Sequence, residues 1–214
     1  MGNRVFKVSI QPGYFYGTLS ATVLRIFNNP MSKLILFMMV SIDGFFEGPN
    51  HDLSWHNVDP EFNRFAIEQT GQMGTLLFGR RTYELMASYW PRAAASTDDP
   101  IVAGLMNNTP KIVFSRTLKK ADWNNTRLVH EGAAAEIKKL KADSDKDIAI
   151  FGSNNLVVSL LSENVIDEFR IMINPVAIGS GTPLFHGLRG KIQLKHIDTR
   201  IFKSGNVLLY YQMA

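Results

Sequence analysis

Leu34 to Val40 is an unbroken apolar run of seven residues, the pattern of a short strand covered on both faces and far too brief to cross a bilayer. From Asp59 the period lengthens. Asp59-Pro60-Glu61 supplies a capping residue, a first-turn proline and a first-turn acid, and Phe62, Phe65, Ala66 and Gln69 then share one helical face. Thr75 to Phe78 predicts a strand closed by Gly79, and Thr82 to Trp90 a helix stopped by Pro91. A loop over Pro91 to Pro100 leads to a short helix over Ile101 to Asn108, then a strand over Lys111 to Phe114. Thr126 to His130 predicts a strand, Ala133 to Ala142 a helix, Asp147 to Phe151 a strand stopped by Gly152, and Asn155 to Leu161 an amphipathic helix. Strands over Phe169 to Val176, Ile192 to Ile201 and Val207 to Gln212 complete the pattern without further helices. Alternating strands and helices followed by strands alone predict an α/β fold, a mostly parallel sheet with an antiparallel edge at its C-terminal end.

Residues 1–30 have no clean period and break at Pro12-Gly13 and Asn28-Asn29-Pro30, so they read as an extension to one undivided domain over 31–214. Gly13, Gly17, Thr18 and Ser20 interrupt any export signal, and the expected location is cytoplasmic. The 214 residues hold 45% hydrophobic positions and no cysteine, which excludes a disulfide framework, a thiolate metal site and a cysteine nucleophile. The net charge of +4 comes from no sustained basic block, and the aromatic residues follow core-like spacing; neither a nucleic-acid surface nor a membrane partner is expected.

In open α/β sheets ligands bind beyond the carboxyl ends of the strands, so three strand–turn–helix junctions carry the candidate chemistry. Gly79-Arg80-Arg81-Thr82 joins a glycine to two guanidiniums and a hydroxyl at a helix start, which suits phosphate, although such a motif alone is more often a solvated helix start. Ser115-Arg116 follows the next strand. Gly152-Ser153-Asn154-Asn155 forms another glycine turn before a helix, with Ser153 or Asn154 also readable as an ordinary cap. Several anion sites on one sheet edge fit a dinucleotide, and arginines favour the extra 2′-phosphate of NADPH over NADH. Asp43, after Val40-Ser41-Ile42, is a candidate acid or a plain turn residue before Gly44; Asp59 and Glu61 are candidate proton donors or dipole-compensating first-turn acids. The polar loop from Gly44 to Trp55 is a candidate cover for a ligand, and His56 and His186 have no spacing that suggests a metal.

Taken in order, Ser41-Ile42-Asp43-Gly44, Gly79-Arg80-Arg81-Thr82-Tyr83-Glu84, Ser115-Arg116, Phe151-Gly152-Ser153 and Gly179-Ser180-Gly181-Thr182-Pro183-Leu184-Phe185 resemble the dihydrofolate reductase-like superfamily. The branch is the one similar to the C-terminal reductase domain of the bacterial bifunctional riboflavin-biosynthesis deaminase/reductase. The resemblance implies a three-layer sandwich with helices on both faces of the sheet and NADPH lying across the strand ends. It also implies hydride transfer to a small heterocyclic or sugar-linked substrate, and a homodimer with edge strands near the C-terminus as contact surfaces. Gly79, Arg80, Arg81, Thr82, Ser115, Arg116, Gly152, Ser153, Asn154 and Asn155 would hold the phosphates and adenosine ribose, with Val40 and Ser41 beside the nicotinamide. A chain without cysteine cannot carry the deaminase half, whose zinc site needs a P-C-x-x-C pair. A folate reductase places proline before the tryptophan of its substrate loop, whereas Ser54 precedes Trp55 here. Dihydrofolate reduction and a non-catalytic nucleotide-binding module are the rival readings.

Overall fold

The computed structural model describes residues 32–93 and 100–214; the extension read over 1–30 and the middle of the loop read over 91–100 lie outside the described residues. The chain runs through β1 (Leu34–Ser41), β2 (Phe45–Glu47), a single 3-10 turn (Pro49–His51), α1 (Pro60–Gly71), β3 (Met73–Gly79), α2 (Arg80–Ala93), α3 (Pro100–Asn108), β4 (Lys111–Phe114) and β5 (Thr126–Val129). It continues through α4 (Ala133–Asp143), β6 (Asp147–Phe151), α5 (Asn154–Leu161), β7 (Glu168–Asn174), β8 (Thr182–Pro183), β9 (Leu194–Ile201) and β10 (Val207–Met213).

Eight strands form one sheet in the order β5-β4-β3-β6-β1-β7-β10-β9. All pairings as far as β7 are parallel, and β10 runs against both β7 and β9. Alternation along β1 divides the interior, because successive side chains leave a strand on opposite faces. Leu34, Leu36, Met38 and Val40 pack with Ile137 of α4 and with Leu156, Val157 and Leu160 of α5. Ile35 joins Tyr83 of α2 and Val102 and Met106 of α3, while Met39 joins Phe65 of α1. The sheet is therefore covered on both sides, the three-layer arrangement the resemblance implied.

Two local expectations are corrected. Pro91 lies inside the last turn of α2 and does not stop it. A proline removes one intrahelical donor, and here the end of the helix has tertiary support: Asn107 Nδ2 of α3 donates to the Trp90 carbonyl at 3.0 Å. The stretch from Gly44 to Trp55 is no free loop, since β2 within it pairs antiparallel with β8 and Asp52 organises its far end. Strands of three and two residues leave too little alternation to be read from sequence.

Lys111 begins β4 with its side chain inside the protein, 1% exposed. Its ammonium donates to the carbonyls of Met106, Asn107 and Thr109 at 2.9, 2.9 and 2.7 Å, closing the C-terminus of α3, and lies 4.5 Å from the centre of the Trp123 ring. Burial pulls its pKa down to about 8. Among the described residues no helix is long and apolar enough to cross a membrane. Replacing the ammonium with an isosteric apolar group strands three carbonyls, so Lys111→Met is expected to lower the unfolding free energy in urea by about 2–3 kcal/mol. An unchanged denaturation midpoint would show that the three carbonyls need no donor.

Candidate functional site

Because β4, β3, β6, β1 and β7 are neighbours and parallel, their carboxyl ends share one edge of the sheet. Sheet order therefore sets the candidates out in a row: Ser115-Arg116 after β4, Gly79 to Thr82 after β3, Gly152 to Asn155 after β6, and Ser41 to Asp43 after β1. From β4 to β1 are three strand spacings of about 4.8 Å, roughly 14 Å in all, a span suited to a dinucleotide. The strand order also reverses here, since the chain goes from β1 out to β5 and returns to insert β6 between β1 and β3. Such a switch point is where open α/β sheets leave a crevice.

Two of the turns are fastened to each other. Gly79 N–H donates to Ser153 Oγ at 2.8 Å, and Ser153 N–H donates to Thr82 Oγ1 at 3.0 Å. Ser153 Oγ in turn donates to the Phe151 carbonyl at 3.0 Å. Gly152 and Ser153 both take left-handed backbone conformations, with φ of 58° and 64°. A Cβ on Gly152 would lie 3.2 Å from Thr82, so glycine is needed for this contact between turns. Ser153 precedes α5 yet gives it no side-chain cap, which rules out the ordinary capping role considered for it. The first-turn amides of α2 and α5 have no intrahelical partners and face a common edge.

The arginines divide in the same way. Arg80 is committed to Glu84 through Nε at 2.8 Å and to Thr117 Oγ1 at 2.9 Å, bracing the start of α2 against the segment after β4. Ser115 Oγ accepts from the amides of Thr117 and Leu118. Arg81 and Arg116 are exposed and have no side-chain hydrogen bond or ion pair among the described residues. Asn154 is 5% exposed; its Nδ2 donates to the His186 carbonyl at 3.0 Å, and its Oδ1 is buried without a protein partner.

The three candidate acids, Asp43 after β1 and Asp59 and Glu61 at the start of α1, all accept from backbone amides. Asp59 caps α1, taking the Phe62 amide at 2.7 Å. Glu61 takes the Lys203 amide at 2.9 Å, and Asp43 takes those of Ile178 and Gly179 at 3.1 and 2.8 Å. The Ser41 hydroxyl, then the Gly179 and Ile178 amides, hold the Asp43 carboxyl below the usual carboxylate range. Two backbone donors thus fix the Asp43 carboxylate at the turn before Gly44 and favour its ionised form. Ser41 Oγ is engaged with both backbone groups of Phe45.

Sequence reasoning missed the asparagines beside this edge. Asn174 Oδ1 accepts from Asn57 N–H, Asn57 Nδ2 donates to the Ser204 carbonyl, and Asn206 Nδ2 donates to the Asn57 carbonyl, at 2.8–3.0 Å. They tie the chain before α1 to the end of β7 and to the β9–β10 hairpin. The only signal was polar residues at strand ends, which turns share. His56 lies beside them with Nε2 buried and without a protein partner, and burial pushes its pKa down to about 4. Among the described residues no group of His, Asp and Glu could hold a metal ion.

Residues 32–210 match the family described as RibD C-terminal domain. The chain belongs to that family. The Bacillus subtilis protein YyaP is 33% identical over 184 residues, which are 86% of this chain and 96% of YyaP. A Shewanella sp. PV-4 protein that bears the name of a riboflavin biosynthesis protein has the same fold, with a TM-score of 0.66 at 22% identity, over 85% of this chain and 99% of its own. So does a Thermotoga maritima deaminase/5-amino-6-(5-phosphoribosylamino)uracil reductase, with a TM-score of 0.63 at 13% identity; 90% of this chain matches 60% of that longer one. A depression of about 760 Å³ opens elsewhere on this RibD C-terminal domain, lined by Gly71, Gly74, Gly104 and Lys146 at the amino ends of β3 and β6. Among the described residues the unpaired guanidiniums, glycine turns and helix starts converge instead at the carboxyl edge, where open α/β sheets bind their ligands.

Two outcomes follow from this geometry. Ser153→Ala removes the acceptor of the Gly79 amide and is expected to cost about 1–2 kcal/mol of stability, read from chemical denaturation. For His56, the unfolded chain takes up a proton near pH 6.5 while the folded one resists until about 4. Its contribution is thus complete above pH 6.5 and falls as the pH drops through that window, by up to about 3 kcal/mol. A His56→Asn variant should show a flatter stability profile between pH 7 and 4; identical profiles would mean that His56 titrates as it does in the unfolded chain.

Proposed function

We propose that the protein is an NADPH-dependent reductase of a small heterocyclic or sugar-linked substrate, with 5-amino-6-(5-phosphoribosylamino)uracil as the first compound to test. The observation that carries this reading is the pair of unpaired guanidiniums, Arg81 and Arg116, on the sheet edge that also bears two helix starts and the Gly152–Ser153 turn. The donor set suits NADPH: guanidiniums for a 2′-phosphate, first-turn amides of α2 and α5 for the diphosphate, and the buried unpaired Oδ1 of Asn154 as an acceptor. When bound, NADPH supplies a hydride from its nicotinamide. The chain's own part is orientation and charge. Arg81 and Arg116 hold the phosphate end, Gly79, Thr82 and Ser153 keep the two turns in register, and Val40 and Ser41 at the end of β1 stand beside the reacting ring. Arg80, fixed between Glu84 and Thr117, braces the site and leaves recognition to its neighbour. The name of the Thermotoga relative and the family membership support the substrate class. We read the enzyme as cytoplasmic and as a homodimer.

Titration of NADPH and NADH followed by fluorescence tests this reading. NADPH is expected to bind the more tightly, and Arg116→Ala and Arg81→Ala should each reduce that preference by about tenfold, the loss of one charge-assisted contact to phosphate. Equal affinity for the two nucleotides, or a preference unmoved in both variants, would overturn the cofactor assignment.

A further inference from the structure

Residues 176–186 form a strap that the cofactor reading leaves unused, although one end is tied to Asn154, which that reading employs, and the other to Ile42 and Asp43 directly after Ser41. At one end Ile42 N–H donates to the Val176 carbonyl at 2.8 Å, and the Asp43 carboxylate collects the Ile178 and Gly179 amides. At the other, Asn154 at the start of α5 donates to the His186 carbonyl. The middle is pinned along β2: Leu184 N–H donates to the Gly44 carbonyl at 3.1 Å and Thr182 Oγ1 to Glu47 Oε1 at 2.8 Å. Gly181 lies so close that a Cβ there would stand 2.1 Å from the Glu47 carbonyl oxygen, at a φ of +148° that side chains avoid. The buried Leu184 roots the strap in the core beneath α5.

The two anchors follow adjacent strands, β6 and β1. A nucleotide laid from the Gly152–Asn155 turn to Val40 and Ser41 covers the same interval. We infer that the strap is a wall of the nicotinamide end of the site and that Asp43 and Asn154 are positioning residues that hold it there, an inference that rests on the NADPH reading. The carboxylate of Asp43 accepts two amides at once and fixes the turn at Ile178–Gly179 beside the end of β1. Asn154 spends its amide nitrogen on the strap, and its Oδ1 stays buried without a protein partner. Preorganised walls of this kind raise affinity by removing the ordering cost from the binding step.

The test uses the full chain and two probes, NADPH and 2′-phospho-ADP-ribose, which has the phosphates but no nicotinamide. In the wild type, NADPH should slow amide hydrogen exchange across residues 176–186, and the fragment should not. Asp43→Ala should raise the Kd for NADPH about tenfold and that for the fragment less than about twofold. Asp43→Asn, whose amide oxygen can accept from both amides as Oδ2 does but without the carboxylate's charge, should fall between. A loss shared equally by both probes would mean general damage to the fold and would overturn the strap's role, as would no loss at all. If the wild type binds both probes equally well with no protection of the strap, the inference fails while the cofactor reading survives. Failure to bind either probe removes both.

Discussion

Burial of β1 on both faces is the constraint around which the other elements are arranged. Seven of its eight residues are buried, and each large apolar side chain removed from water contributes about 1.5–3 kcal/mol. Its neighbours come from far along the chain, Leu34 lying opposite Ile148 and Ile35 opposite Glu168. The strand cannot be completed until the second half of the protein has returned to it. That return inserts β6 between β1 and β3 and reverses the strand order, placing the start of α2 and the start of α5 over opposite faces of one edge. The position of the candidate site is thus a consequence of how the core is closed.

A sheet edge also carries backbone groups left over from the ladder, and these must find partners. Much of the polarity at the carboxyl edge does that work. Asp43, Asp59 and Glu61 satisfy amides, Ser115 closes its own turn, and Thr82 and Ser153 join two turns across the sheet. Among the described residues, the guanidiniums of Arg81 and Arg116 and the buried Oδ1 of Asn154 are left without a protein partner there.

The sequence by itself determined most of the elements and pointed to the family. The apolar run of β1, the Asp59-Pro60-Glu61 start of α1, the glycine closures of β3 and β6 and the order of the junction motifs are all local patterns, and local patterns report which neighbours a residue faces two, three or four positions away. Tertiary structure alone decided the place of β6 between β1 and β3, the β2–β8 pair, the continuation of α2 through Pro91, and the employment of each polar side chain. The reason lies in distance along the chain. The Gly79–Ser153 bond spans 74 residues and the Asp43–Gly179 bond 136, and sheet order, which no local period encodes, is what brings such partners within reach of each other.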